Sequence, residues 1–446
     1  MTPLHREVVE LARALIRFDT SNAPEAALGR HPGSETAAAT YLHDYLVDAG
    51  VDCELIARDP LRANLVARIR GTGDGDPAAS LAFVGHLDVV PADPRDWTHP
   101  PFAAVVDEGG WLWGRGAIDM KNEVAARAVA LAELSRTGFR PRADLWLIVV
   151  ADEEDGMYDV GMRWLLESRP DIRPELALNE GGGERLELSD GRVVQTVGIG
   201  EKGTFPARVV AVGEAGHAST PEVGANAVPL LAELLRRIGS GTARRSSSPL
   251  LERTLEVLLD GPVTDVDAAL AQAGQLHPVL AHSLPALTGT TMAPTLLAGS
   301  SKRNVMPARA SVELDCRLLP GATEADVERE IRARLGTDVP YELEWPEHLV
   351  PGSASDPDSP LAAAIARVLA ASGDTAPLLP LLSTGFTDSV YLRAAGTSTA
   401  LGFSPFRSTS AEVLRSGFHN ADERVHIDDL LLSVQFHLDL ARELLG

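Results

Sequence analysis

The residues of this sequence best able to do chemistry are imidazoles and carboxylates gathered in several short polar segments. Two histidines and five acidic residues stand out, namely His86, Asp88, Asp119, Glu153, Glu154, Glu180 and His419. Nitrogen and oxygen donors without a neighbouring thiolate suit zinc, and also manganese or cobalt. A single one of these residues is more often part of a solvated loop or a helix N-terminus, so only the combination indicates a metal site.

The placement of the polar segments after apolar runs strengthens this interpretation. Residues 81–84, 145–150 and 176–178 are short apolar runs that predict buried strands, and helix-like stretches separate them. A polar segment follows each run directly. Because open α/β sheets bind ligands beyond the carboxyl ends of their strands, we expect these polar side chains to meet in one crevice.

The remaining periodicity predicts an α/β layer with a mixed, largely parallel sheet flanked by helices. Helical spacing occurs in residues 8–16, 41–46, 122–136 and 361–371, and from residue 428 onward. The last two stretches follow the turn-rich residues 351–360, which we interpret as a return of the chain to the first layer.

A second, α+β unit is predicted between these two parts of the layer. Its elements are strand 207–212, helix 225–238, strand 311–318 and helix 323–335. Thr323 and Asp326 are able to cap the last helix. The predicted division is therefore a first catalytic part over residues 1–202, an inserted domain over 203–350 and a second catalytic part over 351–446.

Composition limits the classes of partner. The 446 residues include 40 Lys and Arg against 63 Asp and Glu, a formal net charge of −23. Such a charge opposes general attraction to nucleic acid or to an anionic membrane, although acidity also serves simply to keep a surface solvated. We therefore expect small molecules and metal ions as partners, with no nucleic acid and no membrane.

The cysteine usage and the first residues favour the cytoplasm. Cys53 and Cys316 are far apart in sequence and form neither a disulfide framework nor a thiolate zinc motif. The N-terminal residues lack a basic segment followed by an apolar run, so no export signal is expected. No run approaches 18 consecutive apolar residues, the length typical of a membrane span.

Residues 85–91, followed by Trp97, residues 100–102 and residues 114–121, resemble the superfamily of di-zinc amidohydrolases. That superfamily includes acetylornithine deacetylase, succinyl-diaminopimelate desuccinylase, aminoacylase and carboxypeptidase S, and the resemblance is strongest to the carboxypeptidase S branch. It extends over nearly the whole chain. It implies a zinc exopeptidase-like catalytic domain with an inserted ferredoxin-like domain that acts as a lid and dimerisation unit.

The resemblance also implies a role for each metal-site residue. His86 and Glu180 resemble the ligands of one zinc ion. Glu154 and His419 resemble those of a second, and Asp119 resembles the carboxylate that bridges both. The implied cofactors are two Zn²⁺ ions per chain, with Co²⁺ or Mn²⁺ as substitutes. Bridging by one carboxylate has a physical basis, because two cations about 3.5–4 Å apart need negative charge between them.

Two further carboxylates acquire roles in the same way. Asp88 resembles the residue that orients the His86 imidazole and sets its tautomer. Glu153 resembles the general base that takes a proton from a metal-bridging water. The two adjacent glutamates would thus have different roles, with Glu154 as a metal ligand and Glu153 free to accept and donate a proton.

The inserted domain contributes residues that the resemblance relates to substrate. His217 resembles a lid histidine that, in dimeric relatives, reaches the partner's active site and stabilises the oxyanion, although a surface-turn histidine is the alternative. Asn304 and Arg317 resemble lid residues that contact substrate, and a structural salt bridge explains Arg317 equally well. Phe386 stands where many relatives have a second glycine, which leaves open whether its ring shapes a substrate pocket or packs behind the loop.

Together these features predict a metal-dependent hydrolase that cleaves an amide bond in a small peptide or N-acyl amino acid. The implied mechanism is attack by a metal-bridging water with Glu153 as general base and no covalent intermediate. A homodimer through the lid domain is implied as well. The alternative is a non-catalytic metal-binding or assembly protein that keeps the fold, against which the presence of Glu153 beside Glu154 argues.

Overall fold

The computed structural model describes residues 1–23, 34–73, 80–156, 158–240 and 248–446. Its strands, in chain order, are β1 (Asp52–Ile56), β2 (Asn64–Ile69), β3 (Leu81–His86), β4 (Val105–Val106), β5 (Trp111–Trp113), β6 (Leu145–Val150), β7 (Leu176–Asn179), β8 (Arg185–Glu187), β9 (Val193–Glu201), β10 (Gly203–Thr204), β11 (Ala207–Val212), β12 (Gly216–His217), β13 (Thr291–Ala298), β14 (Val305–Met306), β15 (Arg309–Leu318), β16 (Tyr341–Glu344), β17 (Ser353–Ala354), β18 (Leu378–Ser383), β19 (Thr399–Gly402) and β20 (Arg424–His426).

The α-helices, in chain order, are α1 (Pro3–Ile16), α2 (Glu35–Asp48), α3 (Lys121–Arg136), α4 (Met162–Ser168), α5 (Ala227–Ser240), α6 (Pro249–Leu259), α7 (Val266–Leu276), α8 (Pro278–Ser283), α9 (Glu324–Leu335), α10 (Pro360–Ala371), α11 (Ser389–Ala394), α12 (Ala411–Gly417) and α13 (Ile427–Leu445). Within the described ranges, no helix is both long and apolar enough to cross a membrane.

The described chain separates into two compact units. Unit 1 comprises Met1–Gly200, Ser355–Leu381 and Thr387–Gly446, and unit 2 comprises Glu201–Ala354 and Leu382–Phe386. The limits of the longer segment of unit 2 lie within a few residues of the domain predicted over 203–350. The short segment Leu382–Phe386 was instead predicted to belong to the second catalytic part. The division into catalytic and lid domains stays a prediction.

Unit 1 is built around a mixed sheet whose central strands are parallel. The strand order is β1-β2-β6-β3-β7-β19-β9, with β8 and β18 also paired to β9. Strands β6, β3, β7 and β19 run parallel to one another. The pairs β1–β2, β2–β6 and β19–β9 are antiparallel. The α/β prediction is confirmed, and the parallel centre brings the carboxyl ends of β6, β3 and β7 to the same edge.

Strand β3 shows why these central strands are apolar throughout. All of its residues are buried, because helices cover both faces of the sheet. Ala82 and Val84 belong to a core cluster with residues of α4 and α11. Phe83 points to the opposite face, where its ring meets His437 of α13 edge-on at a centroid distance of 4.8 Å. The site residues at the end of β3 therefore start from a strand fixed on both sides.

Unit 2 contains an antiparallel sheet in the order β10-β15-β11-β16, with β13 also paired to β15. Helices α5 and α9 pack on this sheet in one core, to which Val209, Leu234, Val312 and Ile331 belong. Thr323 caps α9 in a full capping box with Asp326, as predicted. Helices α6, α7 and α8 follow one another and pack together. None of these three helices was predicted.

Candidate metal centre

Two of the predicted ligands are positioned by neighbouring parallel strands. His86 is the last residue of β3, and Glu180 follows directly after the last residue of β7. The two strands pair in register, with Leu81 opposite Leu176 and Phe83 opposite Leu178. Since both strands run the same way, their last side chains arrive at the same edge of the sheet. The imidazole of His86 and the carboxylate of Glu180 are consequently 3.5 Å apart, measured from Nε2 to Oε2.

The adjacent glutamates come from the next strand of the same edge. Strand β6 runs parallel to β3 and pairs Val150 with His86, and Glu153 and Glu154 lie in the turn that follows it. The buried carboxylate of Asp88 holds this turn. Asp88 Oδ1 accepts from the backbone N–H of Glu153 at 3.2 Å, and Oδ2 accepts from that of Glu154 at 3.0 Å. Both glutamates therefore start from a fixed main chain.

The other two predicted ligands lie on loops. Asp119 comes two residues before the first residue of α3, and the peptide bond that follows it is cis. His419 lies just beyond α12 with a φ of 56°, in the left-handed region that few residues other than glycine adopt. His419 keeps a side-chain exposure of 57%, whereas Asp119 is nearly buried at 11%. The centre thus has one open side.

Asp119 lies between two groups of donor atoms. Its Oδ1 is 3.1 Å from Nε2 of His86, and its Oδ2 is 3.3 Å from Nε2 of His419. His86 also faces Glu180, and His419 faces Glu154 at 3.0 Å. Within each group, His86–Asp119–Glu180 and Asp119–Glu154–His419, the donor atoms all lie within 4.8 Å of one another. The five predicted ligands therefore meet at one place, with one carboxylate common to both groups.

Glu153 belongs to neither group but lies beside the first. Its Oε2 is 4.0 Å from Nε2 of His86, and its side chain is 9% exposed. Burial raises the pKa of Glu153 well above its usual value, and the negative charge of Glu180 adds to this effect. A carboxyl group with this environment is suited to hold a proton and release it again.

The other pKa shifts have similar causes. Burial lowers the pKa of His86, but the charge of Glu180 and a hydrogen bond to Asp119 raise it more, so the pKa lies well above its usual value. Hydrogen bonds to Asp119 and Glu154 raise the pKa of His419 to about 10. Burial and the charge of Asp119 raise the pKa of Glu154 to about 7. These shifts show that the carboxylates and the two imidazoles of the centre interact closely with one another.

The donor set fits divalent cations. The buried Oε1 atoms of Glu153, Glu154 and Glu180 make no hydrogen bond to any residue in the described part of the chain. Buried polar atoms normally have partners, and several carboxylates crowded together are unfavourable without a compensating positive charge. Imidazole nitrogens and carboxylate oxygens are ligands of zinc and related transition metals. Two such ions, one in each group, would supply the compensating charge and would lie beside the carboxylates of Glu154 and Glu180.

The Nδ1 atom of His86 is close to two acceptors of Asp88, whereas the prediction named the carboxylate alone. The Nδ1 atom of His86 lies 2.9 Å from the main-chain carbonyl oxygen of Asp88, whereas the Asp88 carboxylate is 3.6 Å away. The carbonyl is therefore the hydrogen-bond acceptor that orients the imidazole. The carboxylate is turned toward the backbone of Glu153 and Glu154 and toward Nδ2 of Asn22, at 2.9 Å. Its physical task is to hold the glutamate turn.

Two predicted substrate residues of the inserted domain lie close together in unit 2. His217 is exposed on β12, and its Nδ1 is 2.7 Å from the hydroxyl oxygen of Ser219. Strand β12 pairs with β14. The main-chain carbonyl oxygen of Asn304, just before β14, accepts from the backbone N–H of Ala218 at 3.1 Å. The segments that carry His217 and Asn304 are therefore neighbours within unit 2.

Arg317 and Phe386, the other two residues that the resemblance relates to substrate, also belong to unit 2. Arg317 of β15 pairs with Asp315 at 2.7 Å, which is the structural salt bridge left open above. Phe386 ends the short segment Leu382–Phe386 and is partly exposed. Neither residue is among the proposed metal ligands, all of which lie in unit 1.

Glu423, Arg127 and Asn22 are among the described residues around the centre that were not predicted. Glu423 is buried and accepts hydrogen bonds from the loop that carries Asp119. Arg127 is buried and donates to the carbonyl oxygens of Val84 and Asn179, near the ends of β3 and β7. Asn22 donates to the carboxylate of Asp88. The sequence did offer a signal for Glu423, because this residue lies in the same polar segment as His419. Arg127 and Asn22 gave none, because the strand carbonyl groups and the Asp88 carboxylate that they contact are distant in sequence.

Comparison with known families agrees with this geometry. The family model described as peptidase family M20/M25/M40 matches residues 82–443. The chain belongs to this peptidase family. The match begins just before His86 and ends beyond His419, so it includes every proposed metal ligand. The predicted superfamily is thereby confirmed, and with it the enzyme class of metal-dependent hydrolases acting on amide bonds.

Individual proteins similar to this chain cover most or all of it. Succinyl-diaminopimelate desuccinylase of Paracoccus denitrificans (strain Pd 1222) is 31% identical over 309 residues, 67% of each sequence. Aminoacylase-1 of Sus scrofa is 27% identical over 441 residues, 97% of this chain and 94% of that protein. An M20 family metallo-carboxypeptidase from Sulfolobus solfataricus has a TM-score of 0.70 at 18% identity, covering 100% of this chain and 99% of that one. The last comparison supports the shared fold.

Proposed function

We propose that this M20 family chain is a di-zinc hydrolase that cleaves the amide bond of a small peptide or an N-acyl amino acid. One observation carries the proposal. The two carboxylate oxygens of Asp119 face different histidines, His86 at 3.1 Å and His419 at 3.3 Å, and each histidine faces a further carboxylate. Such an arrangement is suited to a pair of cations that share one bridging ligand.

The residues would divide the chemistry as follows. His86 and Glu180 would hold one ion, Glu154 and His419 the other, and Asp119 both. When bound, the two ions would acidify a water molecule and polarise the carbonyl group of the scissile amide. Zinc is the favoured identity because the donors are imidazole nitrogens and carboxylate oxygens, and Co²⁺ or Mn²⁺ would use the same set.

Glu153 is the proposed general base. As the water oxygen forms a bond to the amide carbon, Glu153 accepts the proton that the water loses. When the carbon–nitrogen bond breaks, the same carboxyl group delivers that proton to the departing amine. The position of Glu153 Oε2, 4.0 Å from His86 Nε2 and outside both donor groups, supports this role. Asp88 would contribute by fixing the backbone of Glu153.

A metal-dependence experiment tests the proposed function. The protein is stripped with a chelator, reloaded with Zn²⁺, Co²⁺ or Mn²⁺, analysed for bound metal, and assayed for release of free amine. We expect about two ions per chain and hydrolysis only by the reloaded protein. Full loading with no hydrolysis of any amide would favour the alternative, a non-catalytic metal-binding or assembly protein of the same fold.

The same assay separates two classes of substrate. Free dipeptides represent the exopeptidase reaction, and N-acyl amino acids represent the deacylase reaction named in two of the relatives, a desuccinylase and an aminoacylase.

In unit 2, Arg317 is paired with Asp315, so a direct clamp on a substrate carboxylate would require that pair to open. Asn304 remains a proposed substrate contact. The Arg317→Ala variant should leave KM unchanged if the salt bridge is purely structural.

We further propose that the chain forms a homodimer through unit 2. Strand β13 is paired to β15 on one side, and its residues Leu296 and Leu297 are 65% and 67% exposed. An exposed strand with large apolar side chains readily pairs with another strand. A second copy of the chain would cover these leucines. In such a dimer His217 would donate a hydrogen bond to the oxyanion in the partner's active site.

Subunit mixing tests both parts of this dimer proposal. Glu153→Gln removes the base and His217→Ala removes the oxyanion donor, so each variant alone should be nearly inactive. If His217 acts across the dimer, mixed dimers contain one intact site and regain activity. Leu296→Glu with Leu297→Glu should give monomers in sedimentation experiments. An active monomer, or mixtures without recovery, would contradict the role of His217.

We also propose that the protein works in the cytoplasm. Cys53 and Cys316 are both free thiols, and Cys316 is buried. Free cysteines without a disulfide are typical of a reducing compartment. Fractionation of the source cells, with the protein followed by an antibody, tests this placement, and recovery outside the cytoplasm would contradict it.

A further inference from the structure

A buried glutamate links the two loops that carry Asp119 and His419. Glu423 lies in the same loop as His419, between α12 and β20, and its side chain is fully buried. It contributes no atom to either group of donor atoms. Its oxygens are instead directed at the loop of residues 114–120.

The Glu423 carboxylate accepts hydrogen bonds along nearly the whole Asp119 loop. Its Oε2 accepts from Nη1 of Arg115 at 2.7 Å and from the backbone N–H of Gly116 at 3.0 Å. Its Oε1 accepts from the backbone N–H of Ile118 at 2.6 Å and from that of Asp119 at 3.0 Å. One carboxylate thus satisfies four donors, the last of them on the ligand residue itself.

Main-chain contacts strengthen the connection. The backbone carbonyl of Glu423 accepts from the N–H of Gly114 at 3.0 Å, and Arg424 pairs with Trp113 where β20 meets β5. Gly116 has a φ of 87°, in the region that favours glycine. The two loops, distant in sequence, are therefore held together by both main chain and side chain.

We propose that Glu423 is a positioning residue that fixes the Asp119 loop to the His419 loop, so that both ligands are in place before metal binds. Charge-assisted hydrogen bonds in a buried setting are strong and directional, which suits this task. Partners behind metal ligands commonly set the affinity of the site. The inference rests on the proposed metal site, although the arrangement of the loops is independent of any reaction.

The two donor groups should depend on Glu423 to different degrees. In the group Asp119–Glu154–His419, two of the three ligands lie on the linked loops. In the group His86–Asp119–Glu180, only Asp119 does, because His86 and Glu180 come from the ends of β3 and β7. Weakening the link should therefore affect the ion at His419 more than the ion at His86.

The Glu423→Gln variant tests this dependence. The amide keeps the volume of the side chain but offers one acceptor oxygen in place of two. Its NH₂ group is itself a donor and would face N–H donors of the loop, with which it cannot form hydrogen bonds. With Zn²⁺ titrated against a chromophoric chelator, we expect two binding steps in the wild-type protein. In the variant one step, assigned to the ion at His419, should lose about 10–100-fold in affinity, and the other step should change less.

Asp429→Asn provides a matched control in the same unit. Asp429 is likewise buried, and its carboxylate accepts from the backbone N–H groups of Arg407, Ser408 and Thr409, none of which is a proposed ligand. This variant should lose thermal stability but keep both zinc affinities. If Glu423→Gln leaves both affinities unchanged, or weakens both steps equally, the positioning role is wrong.

Hydrogen exchange of the wild-type protein supplies a test that needs no variant to fold. Peptides from residues 114–120 should be protected against exchange with or without added Zn²⁺, because Glu423 already holds their N–H groups. Rapid exchange that stops only when Zn²⁺ is added would overturn the inference. A zinc-loaded wild-type protein without amidase activity would instead overturn the proposed function, and it would leave the exchange and binding results valid.

Discussion

Glu153 and Glu154 are adjacent in the chain, but their carboxylates have different surroundings. Glu154 Oε2 is 3.0 Å from Nε2 of His419, within a donor group, whereas Glu153 Oε2 is 4.0 Å from Nε2 of His86 and outside both groups. Asp88 fixes the backbone turn that carries both glutamates, and from this turn the two side chains point toward different histidines. Exchanging one carboxylate at a time should therefore have different consequences.

For Glu153→Gln we expect turnover to fall by about 10²–10⁴-fold, because an amide cannot accept the proton of the attacking water. The bound metal should stay at the wild-type level. Steady-state kinetics combined with metal analysis measures both quantities. Glu154→Gln is the matched comparison, since it should lose the ion at His419. Unchanged turnover in Glu153→Gln would refute its assignment as the base.

The two thiols should be poorly reactive in the native protein. Burial raises the pKa of Cys53 to about 12, with added effect from Asp52, and burial raises the pKa of Cys316 to about 12. Few thiolates therefore exist at around pH 8, and thiolate is the reactive form. We expect slow modification by a disulfide reagent in native protein and fast modification of both thiols after unfolding in urea. Fast native labelling would contradict this expectation.

The raised pKa values of the two thiols also determine whether the stability of the folded protein rises or falls with pH. A thiol with a native pKa of about 12 keeps its proton in the folded state where the unfolded thiol, with a pKa of roughly 8.5, has lost it. The folded state then binds more protons, so stability falls as pH rises above about 8.5. Replacing Cys53 with Ser should reduce this fall in urea unfolding measured between about pH 8 and pH 10.

At the scale of elements, Arg127 connects one helix to two strands. It lies on α3 with no exposed surface, pairs with Glu123 at 2.5 Å, and donates to the carbonyl of Asn179 at 2.9 Å and to that of Val84. These carbonyls lie near the ends of β3 and β7, just before His86 and Glu180. The helix therefore helps to keep the two strand ends in register.

We expect Arg127→Met to lower the free energy of unfolding by about 3–5 kcal/mol, since it leaves the buried Glu123 without its partner. Urea unfolding measures the change. Arg136→Met, on the same helix, is the control, because Arg136 pairs with Glu7 near the surface and should contribute about 1 kcal/mol or less. A loss of similar size in the two variants would contradict the role of Arg127.

At the scale of the whole molecule, metal should stabilise one unit and leave the other unchanged. All five proposed ligands belong to unit 1. A ligand that binds only the folded state stabilises it by about 2.7 kcal/mol at 100 times its Kd. Calorimetry with and without a chelator should therefore show that Zn²⁺ raises the unfolding temperature of unit 1. No shift in a protein shown to bind Zn²⁺ would contradict the ligand assignment.

Much of the fold was predictable because its strongest signals are local. The apolar run 145–150 coincides with β6, the run 207–212 coincides with β11, and Thr323 caps α9 as predicted. Periodicity and caps depend on neighbours in sequence, so they can be read without coordinates. Helices α6, α7 and α8 were missed although Ser248 and Asp265 cap the first two of them, so local signals for these helices were present in the sequence.

The sequence by itself indicated candidate ligands of the imidazole and carboxylate type and placed three groups of them at the ends of strands, because a parallel sheet brings those ends to one edge. Only the tertiary structure decided the contacts between residues far apart in the chain. It brought the carboxylate of Asp88 to the backbone N–H groups of Glu153 and Glu154, and it joined Glu423 to the Asp119 loop. Such contacts depend on packing between distant segments, for which sequence spacing gives no measure.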